Sequence, residues 1–257
     1  MGIRALRIAR MLIYGFHAVG ARLRRAAGSV QELYVDSARE DARLRDLVSL
    51  AASSGIVARP VPAARLDALC PQGRHQGVVA LAEALAMVSD LDELLDGLTQ
   101  APLLLLLDGV TDPRNLGACL RVADGAGVHA VVAPKDRACG LTEVALRTAA
   151  GAAEHVPYVM VTNLARTIVE LQERDIRVIG TADRSEVTLW EVELAEATAW
   201  VLGAEGSGLR RLVRDRCDEV VSIPMVGSVE SLNVAVASGL VLYESLRRRS
   251  APARAPG

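Results

Sequence analysis

The chain contains few aromatic residues and almost no lysine. One Phe, two Trp and four Tyr occur in 257 residues, although 51% of the residues are hydrophobic. We therefore expect a core built mainly from Ala, Val and Leu side chains. Lys135 is the single lysine among 29 basic residues. We attribute this bias to genome composition rather than to function.

Long apolar runs and paired cysteines are also missing. No apolar run approaches the roughly 20 residues needed to span a bilayer. Residues 1–20 carry three arginines but no long apolar stretch before a small-residue cleavage site, so we expect no signal peptide. The isolated cysteines are Cys70, Cys119, Cys139 and Cys217. This pattern favours reduced thiols in a cytoplasmic protein over a disulfide framework or a zinc site.

Several catalytic motifs are absent. The sequence has no G-x-S-x-G elbow, no Walker A motif and no G-x-G-x-x-G fingerprint in an early strand–helix turn. Asp108 and Asp112 are more typical of turn residues than of a catalytic pair. The four histidines lie too far apart for metal-ligand spacing: His17, His75, His129 and His155. We expect no metal site.

Charge is distributed unevenly along the chain. Residues 1–88 hold 12 arginines against seven acidic residues, whereas the remainder holds 17 basic and 24 acidic residues. The basic part could contact phosphates, and a merely solvated surface is the alternative. We predict a small α/β domain over 1–88, an acidic linker over 89–100, a larger domain over 101–250 and a disordered tail over 251–257.

The larger domain alternates apolar runs with helical segments. Continuous runs such as "PLLLLLDGV" are typical of strands that are buried on both faces. Six such runs alternate with helical stretches, the last of which we expect from about Ser231 to Arg249. This regular alternation predicts an α/β fold with a parallel sheet covered by helices. Ligands of such sheets bind at the carboxyl ends of the strands, so the loops there are candidate sites.

Two of these loops have simple structural explanations beside functional ones. In "DGVTDPRNLGACLRVADGAG", Asn115 could serve only as a helix N-cap and Arg121 only as a surface arginine. In "VLGAEGSGLRRL", Gly203 and its neighbouring glycines let backbone approach a ligand closely, or simply form a tight turn. Glu205 lies among these glycines at the end of a strand.

The third loop, "IPMVGSVESLN", is harder to explain by structure alone. Helix capping explains Ser231, but it does not also explain Asn233 or the extra Gly227. The excess of small and polar residues at the entrance of an apolar helix therefore indicates a binding site.

The three loops, in this order, resemble the three motifs of the SpoU/TrmH ribose 2′-O-methyltransferases of the SPOUT class. The resemblance covers nearly all of 101–250. In the first domain, "YGFHAV" and "RHQGVVA" are similar to the L30e-like RNA-binding domain of the RlmB-type subgroup, which methylates guanosine in large-subunit rRNA. The resemblance implies a trefoil knot and a homodimer formed through the C-terminal domain. It also implies the cofactor S-adenosylmethionine, with Gly203, Ile223 and Leu232 lining its pocket.

The resemblance also implies a catalytic set. Arg121 would act at the proton of the ribose hydroxyl, Asn115 and Glu205 would orient it, and Ser231 and Asn233 would complete the site. Two roles stay open for Arg121: a transiently neutral base, or a charged group that stabilises the developing alkoxide.

Other functions remain to be weighed against the large-subunit rRNA reading. A tRNA ribose methyltransferase or a resistance-type rRNA methyltransferase would keep the three motifs, and only the N-terminal part favours the rRNA reading. A non-catalytic RNA-binding or ribosome-assembly factor is a further alternative, and a nucleotide-binding oxidoreductase is a distant one. Glu230 departs from the family pattern, which has a small residue before "SLN".

Overall fold

The structure is a computed structural model that describes residues 10–71, 74–83 and 90–250. Their contacts define two compact units. The first contains the described residues up to 83 together with 146–155, and the second contains 90–145 and 156–250. The inclusion of 146–155 in the first unit was not anticipated. The predicted boundaries at 88 and 100 stay a prediction, and the predicted tail 251–257 lies outside the described residues.

The first unit is built on a four-stranded sheet in the order β1-β4-β2-β3. Strands β2 and β3 are parallel, and the other neighbours are antiparallel. Its helices and strands are β1 (Arg10–Tyr14), α1 (Phe16–Ala26), β2 (Val30–Asp36), α2 (Ala42–Ser53), β3 (Ala58–Val61), α3 (Ala63–Leu69) and β4 (Val78–Glu83). The first unit also contains two short 3-10 helices, at Ala27–Ser29 and at Ala152–Glu154.

A buried ion pair lies in the core of the first unit. The Arg22 side chain is 1% exposed and the Glu154 side chain 5%. Arg22 Nε and Nη2 donate to the two carboxylate oxygens of Glu154 at 2.6 and 2.9 Å. Arg22 Nη1 donates to the Glu83 carbonyl at 2.7 Å. Because every nitrogen of the guanidinium has a partner, this pair fixes the 146–155 segment within the unit.

The second unit is built on a seven-stranded, wholly parallel sheet in the order β7-β6-β5-β10-β8-β11-β9. Its elements are α4 (Leu91–Asp96), β5 (Leu103–Asp108), α5 (Pro113–Gly125), β6 (Ala130–Pro134), α6 (Glu143–Ala149), β7 (Tyr158–Val161), α7 (Leu164–Gln172), β8 (Arg177–Ala182), β9 (Val187–Thr188), β10 (Thr198–Gly203), α8 (Arg211–Arg214), β11 (Glu219–Ser222) and α9 (Val234–Arg249). Helix α6 passes into the first unit at residue 146.

The predicted parallel α/β sheet is therefore confirmed, with the short β9 as an unpredicted addition. All six residues of β5 are buried. Leu104 and Leu106 pack in one cluster with Ile168 of α7. On the neighbouring strand β10, Trp200 Nε1 donates to Ser245 Oγ of α9 at 2.8 Å. Burial on both faces explains why these strands read as continuous apolar runs.

Two helix starts differ from the expectations. Helix α9 begins at Val234 rather than near Ser231, and its N-cap is Asn233, whose side chain accepts from the Ala235 N–H at 2.9 Å. Helix α5 is capped by Asp112, so Asn115 lies within its first turn and is not the cap. Capping thus explains Asn233, in place of the expected Ser231, but it does not explain Asn115. Across the described ranges, no helix is both long and apolar enough to cross a bilayer.

Candidate active site

A pocket opens beside the carboxyl ends of β8 and β10 and the turn after β11. About 640 Å³ of space lies between its walls, a volume that includes open solvent. Its wall includes the three expected cofactor contacts and two of the expected catalytic residues: Gly203, Glu205, Ile223, Ser231 and Leu232. These five residues are up to 29 positions apart in the sequence.

The turn after β10 folds back tightly on the strand. Gly206 and Gly208 have φ of 79° and 62°, a region that favours glycine. The Gly208 N–H donates to the Ala204 carbonyl at 2.9 Å. A Cβ at Gly203 would collide with the backbone of Gly208 and Leu209. Gly203 is therefore required for the turn itself, as well as lining the pocket.

Three of the expected catalytic residues form one hydrogen-bonded network. Asn233 Nδ2 donates to Asn115 Oδ1 at 2.9 Å and to Glu205 Oε1 at 2.6 Å. Glu205 Oε1 also accepts from the Val234 N–H at 3.4 Å. The carboxylate faces the N-terminus of α9, where the partial positive charge of the helix end attracts a negative group. The network brings together three separate loops of the sequence.

The residues of the network differ in how many of their polar atoms have a partner within the protein. Asn233 uses both Nδ2 hydrogens on Asn115 and Glu205, and its Oδ1 caps α9. Its side chain is thus fully engaged within the protein. Within the described residues, Asn115 Nδ2 and Glu205 Oε2 have no partner. Ser231 is exposed and lines the pocket.

Arg121 is not part of this network. It lies on α5, six residues after Asn115, and its side chain is exposed. At about 100° per residue, six positions place it roughly 120° around the helix from Asn115. In the part of the chain that the structure describes, its guanidinium makes no hydrogen bond or ion pair. The charged group is therefore available to a ligand from outside this chain.

The pocket has a negative and partly apolar lining. Asp183, Glu205 and Glu230 contribute three carboxylates, and the lining residues that the structure describes include no Lys, Arg or His. Leu202 and Met225 add to its apolar side chains. Such a lining suits a ligand that combines a cationic centre with apolar surface. S-adenosylmethionine, with its sulfonium cation, has this chemistry, so the residues fit the cofactor that the resemblance implies.

Cysteine chemistry is disfavoured at this site. Cys119 on α5 packs against Ser238 of α9, with Sγ and Oγ 3.5 Å apart. Burial raises the pKa of the Cys119 thiol to about 11. Burial likewise raises the pKa of Cys217 to about 12. Because only the thiolate is nucleophilic, neither residue is suited to carry a methyl group at neutral pH.

Sequence reasoning missed some residues of the site. Asp183 and Met225 line the pocket but were not singled out. Asp183 directly follows β8, so the rule that ligands bind at carboxyl ends of strands could have found it. Asp108, read as a turn residue, is buried and paired with Arg210. No sequence signal indicates a pair 102 residues apart.

The parallel sheet and the pocket at its carboxyl edge define an α/β enzyme with a small-molecule site. Residues 102–243 match the model of the SpoU rRNA methylase family, and residues 12–88 match the RNA 2′-O ribose methyltransferase substrate-binding domain. The chain belongs to the SpoU rRNA methylase family. The sequence-based assignment to this family is confirmed.

Relatives of known name resemble the chain over most of its length. A 23S rRNA (guanosine-2′-O-)-methyltransferase RlmB of Ralstonia nicotianae is 56% identical over 239 residues, which cover 93% of this chain and 96% of that protein. The enzyme of the same name from Escherichia coli is 49% identical over 241 residues, covering 93% and 99%. The SpoU methyltransferase AviRb of Streptomyces viridochromogenes, solved with AdoMet, has a TM-score of 0.75 and 27% identity, covering 93% and 90%.

Proposed function

We propose that this chain is an S-adenosylmethionine-dependent enzyme that methylates the ribose 2′-oxygen of a guanosine in 23S rRNA. One observation carries the proposal: the Asn115–Asn233–Glu205 network lies at a pocket whose lining suits a sulfonium cofactor. The relatives that are about half identical to the chain over 93% of its length are named for this reaction. A cytoplasmic location follows from the substrate as part of the same proposal.

The cofactor supplies a methyl group that is already activated by the positive sulfur. The protein must therefore align the acceptor hydroxyl and assist the loss of its proton. We assign Gly203, Ile223 and Leu232 to holding the cofactor. Glu230 faces the same pocket, and we assign its carboxylate to the cationic side of the ligand.

Within the network, we assign different tasks to the two asparagines. Asn233 organises the site, because all of its hydrogen-bonding groups are used within the protein. Asn115 Nδ2, Glu205 Oε2 and the Ser231 hydroxyl are the groups left for the ribose. The Oε2 oxygen of the Glu205 carboxylate is a suitable hydrogen-bond acceptor for the 2′-hydroxyl and the group that takes up its proton when the oxygen is methylated. These groups orient the oxygen that attacks the methyl carbon.

Arg121 is assigned to charge stabilisation rather than to proton removal. Arginine stays charged in proteins at neutral pH, and a charged guanidinium stabilises an oxygen that is losing its proton. The exposed position of Arg121 leaves its donors free for the incoming RNA.

The first unit is the proposed RNA-binding part of the enzyme. The guanidinium groups of Arg39 and Arg43 lie 4.6 and 4.7 Å from the centre of the Phe16 ring. Arg43 Nη2 is 2.8 Å from His17 Nε2. Arginines held in place by a ring are suited to phosphate contacts, because their side chains lose less freedom on binding. This cluster of arginines supports RNA binding by residues 12–88, which match the RNA 2′-O ribose methyltransferase substrate-binding domain.

RNA affinity of an Arg43→Gln variant tests this assignment. We expect weaker rRNA binding at every sequence and a salt dependence whose slope falls by about one. Cofactor affinity, measured by titration calorimetry, should not change. An Arg45→Gln variant on the same helix, whose arginine makes no contact with Phe16, is the matched control. Unchanged RNA affinity and salt slope in Arg43→Gln would contradict the assignment.

We also propose a homodimer formed through the second unit. Several apolar side chains of this unit are more than half exposed: Leu212, Val226, Val229, Val236 and Tyr243. Burying such side chains against a second copy is favourable. Light scattering should give twice the chain mass, and Val236→Glu should shift the protein toward the monomer. A wild-type monomer at micromolar concentration would contradict the dimer.

Mass mapping of methylated nucleotides tests the proposed reaction. The purified protein is incubated with unmodified rRNA and with tRNA, each in the presence of cofactor with a labelled methyl group. We expect the label as 2′-O-methylguanosine at one position of 23S rRNA. Labelled tRNA would favour the tRNA alternative. RNA binding without any label would favour an assembly factor.

A further inference from the structure

We propose that the ion pair between the buried Asp108 and Arg210 positions Glu205 for the reaction. The inference rests on the proposed function, and it assigns a role to two residues outside the pocket and the network. Asp108 is the last residue of β5. Arg210 is the N-cap residue of α8 and ends the glycine-rich turn that follows β10.

The pair is held by three polar contacts. The Arg210 backbone N–H donates to Asp108 Oδ2 at 2.8 Å, and Arg210 Nε donates to Oδ1 at 2.6 Å. Arg210 Nη2 also lies 2.6 Å from Oδ1. The Asp108 side chain is 0% exposed and the Arg210 side chain 40%. A buried carboxylate with these donors fixes both the backbone and the side chain of Arg210.

The turn between these anchors carries Glu205. It leaves the sheet at Gly203, which pairs with Asp108 in the parallel register of β10 and β5. It then folds back over Gly203 and returns to β5 through Arg210. Both ends of the turn are therefore fixed to the carboxyl end of β5, and Glu205 lies between them. Apart from the Arg210 contacts, the return path of the turn is held by the Ala204–Gly208 bridge and by the packing of Leu209 against the core of the second unit.

The hydrogen bonds of Glu205 connect the turn to the network. Its Oε1 accepts from Asn233 Nδ2 and from the Val234 N–H. A shift of the turn would change both contacts and, through Asn233, the position of Asn115. Displacement of a catalytic group by about 1 Å can cost about 100-fold in rate. Arg210 is thus a positioning residue that acts through Glu205.

A double-mutant cycle tests this inference. Single-turnover methyl transfer is measured for wild type, Arg210→Ala, Glu205→Gln and the double variant, at saturating cofactor and rRNA and per folded enzyme. We expect Arg210→Ala to slow the wild type about 100-fold but the Glu205→Gln variant less than threefold, because Glu205 carries the effect. Both Arg210 variants keep the backbone N–H that donates to Asp108, and Arg210→Lys, which also keeps a charge, should recover part of the rate. An equal loss in both backgrounds would overturn the inference.

Hydrogen exchange provides a readout that does not need activity. Arg210→Ala should raise the exchange rates of the amides in 204–209 and of Val234 at least tenfold. Arg211→Ala, the neighbouring exposed arginine, is the matched control and should leave them unchanged. Unchanged exchange rates in Arg210→Ala would overturn the proposal that the Asp108–Arg210 pair holds the turn. If Arg210→Ala does not fold, Arg210→Lys is measured in the same way. Absence of methyl transfer in the wild type would overturn the proposed function. The exchange rates would still decide whether the Asp108–Arg210 pair holds the turn.

Discussion

Each of the two units contains a buried carboxylate that is paired with an arginine, but the exposure of the arginine differs between the two pairs. In the first unit, Arg22 and Glu154 are 1% and 5% exposed. In the second unit, Asp108 is equally buried, but 40% of the Arg210 side chain is exposed. The Arg22–Glu154 pair, which we call the closed pair, joins two distant segments of the chain within one core. The Asp108–Arg210 pair, which we call the half-open pair, anchors a turn beside a pocket. The comparison indicates that burial of both partners serves folding, whereas burial of one partner leaves a loop fixed next to solvent and ligand.

The largest effect is expected from breaking the closed pair. Arg22→Met leaves the Glu154 carboxylate buried without its cation, which costs about 3–5 kcal/mol of unfolding free energy. Urea unfolding followed by circular dichroism measures the change. Adding Glu154→Leu should restore much of the loss, because it removes the unpaired charge. Arg25→Met, an exposed position on the same helix, should change stability by less than about 0.5 kcal/mol. A minor loss in Arg22→Met would remove the distinction between the two pairs.

Arg121, which has no hydrogen-bond or ion-pair partner among the described residues, extends the comparison. Arg121→Ala should leave stability nearly unchanged and lower kcat by about 10²–10³, the effect typical of removing one charge-stabilising donor. Arg121→Lys should retain part of the rate. Its pH–rate profile should keep the slope of the wild type, because the residue is not the group that titrates. A changed slope would instead support the base role. Arg166→Ala, an exposed arginine of α7, is the control and should keep full activity.

A third buried carboxylate adds a pH-dependent case. The hydrogen bond from Arg247, together with Arg248, lowers the pKa of Glu244 from 4.5 to about 2 despite the opposing effect of burial. A depressed pKa stabilises the folded state above the unfolded value, and this stability is lost as pH falls from about 4.5 through 2. Because Arg247 is exposed, solvent screening reduces this contribution to stability. The stability difference between wild type and Glu244→Gln should be full at pH 7 and vanish near pH 2. A difference independent of pH would contradict this role.

The smallest effect is expected from a neutral buried pair. Ser245→Ala leaves the Trp200 indole N–H without its acceptor, which costs about 1–2 kcal/mol. Thermal unfolding should show a lowered Tm. Ser250→Ala, at the exposed end of the same helix, is the matched control. Equal changes in the two variants would show that the indole hydrogen bond contributes little.

The sequence predicts the sheet better than it predicts the polar contacts. The apolar run at 103–107 identifies β5 because burial on both faces leaves no alternation. The network could be named only through a family resemblance, because Asn115, Glu205 and Asn233 are separated by 28 to 118 positions that no local pattern links. The role of Asn233 as the cap of α9 was missed, since Ser231 is an equally good capping residue.

The buried arginine of the first unit was beyond sequence reasoning for a similar reason. Arg22 lies in the Arg-rich stretch "ARLRRA", where its neighbours Arg24 and Arg25 are exposed. Only the fold brings Glu154 to it from 132 positions away. A deletion of 1–88, which we would expect from sequence to abolish RNA methylation and spare cofactor binding, would also leave this carboxylate without its partner. Point variants such as Arg43→Gln therefore separate RNA binding from folding more cleanly.

The rate of methyl transfer per folded enzyme, compared between Arg22→Met and Arg210→Ala, tests the central claim most directly. Both variants remove the cation from a buried carboxylate, so both should lower stability. Under conditions where the folded fraction is measured and cofactor and rRNA saturate, we predict a rate within twofold of wild type for Arg22→Met. We predict a rate about 100-fold lower for Arg210→Ala. Equal rates in the two variants would contradict the account.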